Sequence, residues 1–141
     1  MLRATATAHG GETADSITLD HEQRHRRRAA LVSDGGLEFL LDLPHAAHLH
    51  DGTRLLLDDG RRIEVRAAPE PVLDVRGTDL VRIAWHLGNR HTPAQILPDR
   101  LRIRADHVLA EMLRGLGAEV TALTAPFEPE SGAYPHGHHG H

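Results

Sequence analysis

An α+β fold in two parts is predicted here: a small antiparallel β domain followed by a ferredoxin-like βαββαβ domain. Three observations predict it. Asp-Gly pairs punctuate short apolar runs through the first half, a Pro69-Glu70-Pro71 break interrupts the chain, and strand and helix patterns alternate beyond that break. The expected division is residues 1–70, residues 71–125 and a flexible His-rich tail over 126–141.

In the first part the apolar runs at 17–19, 29–32, 37–43, 54–57 and 62–65 read as strands. Between them stand Asp34-Gly35-Gly36, Asp51-Gly52 and Asp59-Gly60, and Asp-Gly pairs accept the positive φ angles that tight hairpin turns demand. The two prolines at 69 and 71 disfavour helix and cannot donate to a sheet, which suits a linker. Past them, residues 72–75 suit a strand and 78–87 a helix starting near Thr78 or Asp79. A strand pair follows at 94–97 and 101–104, joined at Pro98-Asp99, with Leu101 and Ile103 on one face and Arg100, Arg102 and Arg104 on the other.

The clearest helix begins at Asp106, a good N-cap. Val108, Leu109, Met112, Leu113 and Leu116 recur at helical spacing until Gly117 stops the run. A last strand over 118–123 completes the order βαββαβ, the order of a ferredoxin-like domain with two helices on one face of an antiparallel sheet. From Ala125 onward Pro126, Pro129, Gly132 and Pro135 mark a disordered tail.

Composition narrows the function. The 141 residues carry a formal net charge of −4 and only four aromatic rings, Phe39, Trp85, Phe127 and Tyr134. Such a chain has neither the positive field that a phosphate backbone requires nor a set of rings on which bases could stack, so no nucleic-acid partner is expected. Cysteine is absent, which excludes disulfides and thiolate metal sites and leaves thirteen histidines as the soft-ligand inventory. No apolar stretch approaches signal-peptide or membrane-spanning length, so the default is a soluble cytoplasmic protein with no membrane partner.

Four histidine groups suggest metal chemistry. His136, His138, His139 and His141 end the chain on a glycine-rich tract, a natural ligand set for nickel, copper or zinc; the alternative is an expression tag, although tags are normally unbroken histidine runs. His21-Glu22-Gln23-Arg24-His25 matches the H-E-x-x-H protease motif, yet its surroundings are polar and lead into a strand, so a surface turn is the competing reading. His45, His48 and His50 are close enough in sequence to chelate, or are exposed residues before a turn. His91 is displayed on a loop, because Gly88 and Asn89 can take the left-handed geometry that ends a helix; a lone loop histidine is also an ordinary polar surface residue. His107 lies at the start of the second helix, off its apolar face.

The segments LGNRHTPAQI and DHVLAEMLRGLGAEV resemble the C-terminal domain of the UreE family, the urease accessory nickel metallochaperones. Upstream, HEQRHRRR and LLLDDGRRIEVRAAPEPVLDV resemble that family's N-terminal domain, so the likeness covers nearly the whole chain from about Ser16. It implies a homodimer in which His91 of each subunit shares one nickel ion, with His107 and the tail histidines His136, His138, His139 and His141 assisting. Some members carry a further histidine two residues before the His107 position; here that residue is Ala105. The resemblance also implies partners, namely the urease apoprotein and the accessory GTPase UreG with its associated accessory proteins, and a basic contact surface at residues 24–28. It implies no catalytic activity.

Zinc or copper can substitute at imidazole sites, whose intrinsic order places copper above nickel, so nickel follows from the family rather than from the ligands. Imidazole must be neutral to coordinate, and its ordinary pKa of about 6.5 makes affinity fall steeply below pH 6. Two rival functions stand beside the carrier: a passive nickel or zinc buffer, and a metallohydrolase built on His21, Glu22 and His25.

Overall fold

A computed structural model of the chain describes residues 1–131. They form two compact units, Met1–Ala68 and Pro69–Ser131. Each has its own sheet and its own apolar core.

The first unit is a six-stranded sheet of β1 (Arg3–Ala8), β2 (Asp15–Leu19), β3 (Arg28–Val32), β4 (Glu38–Asp42), β5 (Arg54–Leu57) and β6 (Arg62–Ala67), in the order β2-β6-β5-β1-β4-β3. Two of its hairpins turn where Asp-Gly pairs predict them. Gly36 (φ 95°) closes β3 onto β4 and Gly60 (φ 92°) closes β5 onto β6, conformations that a side chain would strain. Ile17, Leu19, Phe39, Leu41, Leu55, Leu57, Ile63 and Val65 alternate inward and make the core.

Two features depart from expectation. The sheet is mixed: β3–β4, β5–β6 and β1–β5 pair antiparallel, but β1–β4 and β2–β6 run parallel. The parallel pairs join strands far apart in sequence, which no hairpin signal reports. The other is β1 itself, whose Arg-Ala-Thr-Ala-Thr-Ala text looks like a polar terminus yet sits inside the sheet with Ala4 fully buried.

The second unit has β7 (Pro69–Arg76), α1 (Leu80–Asn89), β8 (Gln95–Leu97), β9 (Arg100–Arg104), α2 (His107–Gly115) and β10 (Glu119–Pro126), the predicted βαββαβ order. The sheet order is β10-β7-β9-β8 with every pairing antiparallel, which is the ferredoxin-like arrangement. Asp79 and Asp106 cap the two helices, accepting from the N–H groups of Arg82 at 3.2 Å and Leu109 at 2.9 Å. Ile83, Leu87, Ala110 and Leu113 then pack on Leu73, Val75, Leu101 and Ile103.

The Pro-Glu-Pro segment is no linker. Pro69 and Pro71 begin β7 and lie opposite Pro126 and Thr124 of β10, whereas the ladder to β9 starts only at Val72. Proline is tolerated there because it stands outside the doubly paired part of the strand. Order also continues past Ala125: β10 reaches Pro126, Phe127 is fully buried, and the Glu128 and Glu130 amides donate to Gln95 Oε1 at 2.9 Å and the Ala94 carbonyl at 2.8 Å.

On the sheet face away from the helices, β7 and β9 bring three charges together. Arg102 Nε donates to Asp74 Oδ1 at 2.7 Å, Arg100 Nε to Asp74 Oδ2 at 2.9 Å, and Arg102 also holds the Pro126 carbonyl. Burial raises the Asp74 pKa, but the hydrogen bonds and charges of Arg102 and Arg100 outweigh it and hold the carboxyl below its ordinary 3.8. The stabilisation is therefore complete above the unfolded value near 3.8 and is lost as pH falls through the lower folded one. Asp74→Asn should cost about 3 kcal/mol at pH 7, because it strips the buried Arg102 of its carboxylate and leaves Arg100 only the exposed Asp99. Urea unfolding at pH 7 and pH 3 checks this, with the deficit of the variant shrinking at the lower pH.

Candidate metal centre

His91 follows α1 by two residues. Arg90 ends the helix, the His91 amide donates to the Gly88 carbonyl at 3.0 Å, and the Thr92 amide donates to the Leu87 carbonyl at 3.0 Å. This pair of bonds is a Schellman motif, whose geometry forces the residue after the cap into the left-handed region. That residue is His91, with φ 57°, the only non-glycine residue at positive φ among the described residues. The sequence suggests Gly88 or Asn89 for this conformation; both are instead helical, and the strain falls on the histidine.

The end of α2 shows what ordinarily occupies the position. The Gly117 amide donates to the Arg114 carbonyl at 3.0 Å and the Ala118 amide to the Leu113 carbonyl at 3.0 Å, the same two bonds, and the left-handed residue is Gly117 with φ 87°. A side chain there costs about 1 kcal/mol or more. At the end of α1 the chain carries that cost to hold an exposed imidazole at one rigid spot.

Around it lies a concavity of about 260 Å³ lined by His91, Thr92, Pro93, Arg104, Ala105, Asp106, Leu109 and Phe127. The start of α2 thus reaches the His91 loop. His107, exposed in the first turn of α2, stands beside this lining without joining it, and Ala105 offers no ligand where a histidine would face the same space. His136, His138, His139 and His141 lie outside the described residues.

The outward side of α1 carries exposed apolar residues beside Arg82 and Asn89. Val81 is 84% and Trp85 63% exposed, and with Gly88 they form a stripe at i, i+4 and i+7 that runs toward the His91 end.

In the first unit the H-E-x-x-H segment is a turn, as one of its readings had it: a single 3-10 turn over Gln23–His25, with Glu22 exposed. Its surroundings are less polar than they look, since Arg24 is fully buried and His21 nearly so. Arg24 therefore cannot belong to an exposed basic contact surface. Arg26, Arg27 and Arg28 are exposed, with Arg28 on the edge strand β3 paired to Asp42. Sequence spacing missed that His48 folds against His25, 23 residues away, and against His21, contacts that only the tertiary structure makes.

A mixed-sheet unit followed by a ferredoxin-like unit, with an exposed imidazole held at a helix end, defines the class: a two-unit α+β protein with a candidate metal ligand at a fixed place. Residues 2–68 match the model of the UreE urease accessory protein, N-terminal domain, and residues 70–141 that of the C-terminal domain. The chain belongs to the UreE family. It is 58% identical to the urease accessory protein UreE of Chelativorans sp. (strain BNC1), over all of this chain and 92% of that protein. Against the UreE of Rhodobacter capsulatus the identity is 60%, covering 88% of this chain and 79% of the relative. Against that of Rhodopseudomonas palustris (strain HaA2) it is 58% over 90% of this chain, which spans only 60% of that relative's length. Among the described residues no helix is long and apolar enough to cross a membrane.

The cap makes an unusual forecast for stability. His91→Gly should leave thermal stability unchanged or raise it by up to about 1 kcal/mol, because glycine suits φ 57°. His91→Val should lower it by about 1 kcal/mol or more, since a β-branched residue is the least suited to that region. Equal losses for both in calorimetry would contradict the strained cap.

Proposed function

We propose that this chain is a cytoplasmic nickel metallochaperone for urease, in which His91 from the two subunits of a homodimer holds one shared ion. Nickel is cargo here, taken up and released. A single imidazole is too weak a ligand to retain an ion, whereas a two-fold axis supplies a second one at no cost in sequence. The observation that carries this reading is the strained cap: a histidine is kept in a glycine position at the end of an apolar helix stripe.

The tail supports the same site. Glu130 is bonded to Ala94, three residues from His91, and six residues separate it from His136, a contour of at most about 21 Å. His136, His138, His139 and His141 are therefore within reach of the His91 loop, and His107 at the start of α2 is a further assisting ligand. Additional neutral donors raise affinity. Delivery goes to the urease apoprotein with the accessory GTPase UreG and its associated accessory proteins. Zinc and copper compete for the same imidazoles.

Three measurements test this. His91→Gly keeps the cap and removes the ligand, so isothermal titration should show loss of the shared ion from a correctly folded dimer, and nickel transfer into apo-urease with the accessory proteins present should fall to background. Removing residues 136–141 should lower the number of ions bound and spare the shared one. Tight nickel binding to His91→Gly lacking the tail would refute the assignment; binding without transfer would make the chain a buffer. Trp85→Glu should weaken the dimer by about 30-fold or more, the cost of losing a central aromatic anchor, read by light scattering against concentration.

A further inference from the structure

The first unit holds a second cluster of imidazoles that the carrier reading leaves unused. His21 follows β2, His25 ends the 3-10 turn, and His48 comes from the loop before β5. Their ring centroids are 4.4 Å apart for His21–His25, 4.4 Å for His25–His48 and 5.6 Å for His21–His48. One nitrogen from each ring lies within 4.8 Å of the other two.

We infer that His21, His25 and His48 form a three-histidine site for a borderline divalent cation of the nickel, copper or zinc class, wholly within the N-terminal unit and separate from His91. An ion about 2.1 Å from each nitrogen sets neighbouring donors roughly 3.4 Å apart. His25 Nε2 and His48 Nδ1 already stand 3.1 Å apart. The widest pair must close by about 1.4 Å at most, within reach of side-chain rotation.

The donors are also oriented. His25 Nδ1 lies 2.9 Å from the His21 carbonyl and donates to it, which leaves Nε2 as the lone pair turned to His48. A ligand histidine tied to a carbonyl through its other nitrogen is the usual outer support of a metal site. The turn is locked by Asp20, which accepts from the Gln23 amide at 2.8 Å and, through its carbonyl, from the Arg24 amide at 3.0 Å. The Leu49 amide donates to the Arg24 carbonyl at 3.0 Å, and Leu49 is a core residue, so the His48 loop is pinned to the same turn.

Among the described residues His48 Nε2 is buried without a hydrogen-bond partner and Nδ1 faces His25, so neither nitrogen of this ring is tied to a backbone or carboxylate group. Arg24 is tied away by its NH1 on the Leu19 carbonyl at 2.8 Å. Three neutral imidazole nitrogens with no carboxylate in the group suit ions that bond to imidazole itself rather than magnesium and calcium, which need negative oxygen ligands.

The test uses the full chain with His91, His107 and the four tail histidines replaced by alanine, so its result does not depend on the interfacial reading. Titrated separately with nickel and zinc salts, this chain should bind one ion, and X-ray absorption should report imidazole donors. His25→Ala, at an exposed position that leaves the core intact, should weaken binding about tenfold or more, and so should His48→Gln, whereas His45→Ala should change nothing. The assignment fails if the starting variant binds no ion, or if His25→Ala and His48→Gln both bind as tightly as it does.

Discussion

The Thr92 amide bonded to the Leu87 carbonyl closes α1, and everything proposed for the second unit depends on that turn. It reverses the chain within two residues, commits the intervening position to the left-handed region, and so gives His91 a fixed direction. The identical turn at Gly117 shows that the fold asks only for a residue tolerating that conformation. At one helix the easiest solution is used. At the other, backbone strain is retained for the sake of an imidazole, which is the expected signature of a position kept for its chemistry.

The surrounding fold makes the strain sustainable. Leu87 is fully buried against the sheet, so the last turn of α1 cannot fray and release His91. Beneath it the antiparallel sheet is secured on the far face by Asp74, shared between Arg100 and Arg102, and Arg102 reaches on to the end of β10 through the Pro126 carbonyl. That contact, together with the buried Phe127 and the bond from Glu130 to Ala94, returns the chain to the loop that carries His91. A rigidly held imidazole and the root of a histidine-rich segment are thereby neighbours. The two imidazole groups differ in kind: His91 is exposed and singular, while His21, His25 and His48 are partly enclosed and already gathered within one unit.

Much of this was legible in the residues. Asp34-Gly35-Gly36 and Asp59-Gly60 located hairpins, Asp79 and Asp106 located helix starts, and the alternation of Leu101 and Ile103 with arginines oriented β9. What escaped had weak or conflicting local signals. β1 is built of alanine and threonine too small to advertise burial, Pro69 and Pro71 argue against a strand except where only one neighbour pairs, and Phe127 is a lone aromatic among prolines.

By itself, then, the sequence determined the βαββαβ order of the second unit, the absence of thiols and the choice of histidine as the candidate ligand, because these follow from residue type and from periods of two to four residues. Only the tertiary structure decided that β1 pairs parallel to β4, that His91 rather than Gly88 bears the left-handed turn, and that His48 joins His21 and His25. The physical reason is common to all three. Each is settled by hydrogen bonds or packing between segments whose separation along the chain, or whose competition for one conformation, leaves no periodic trace.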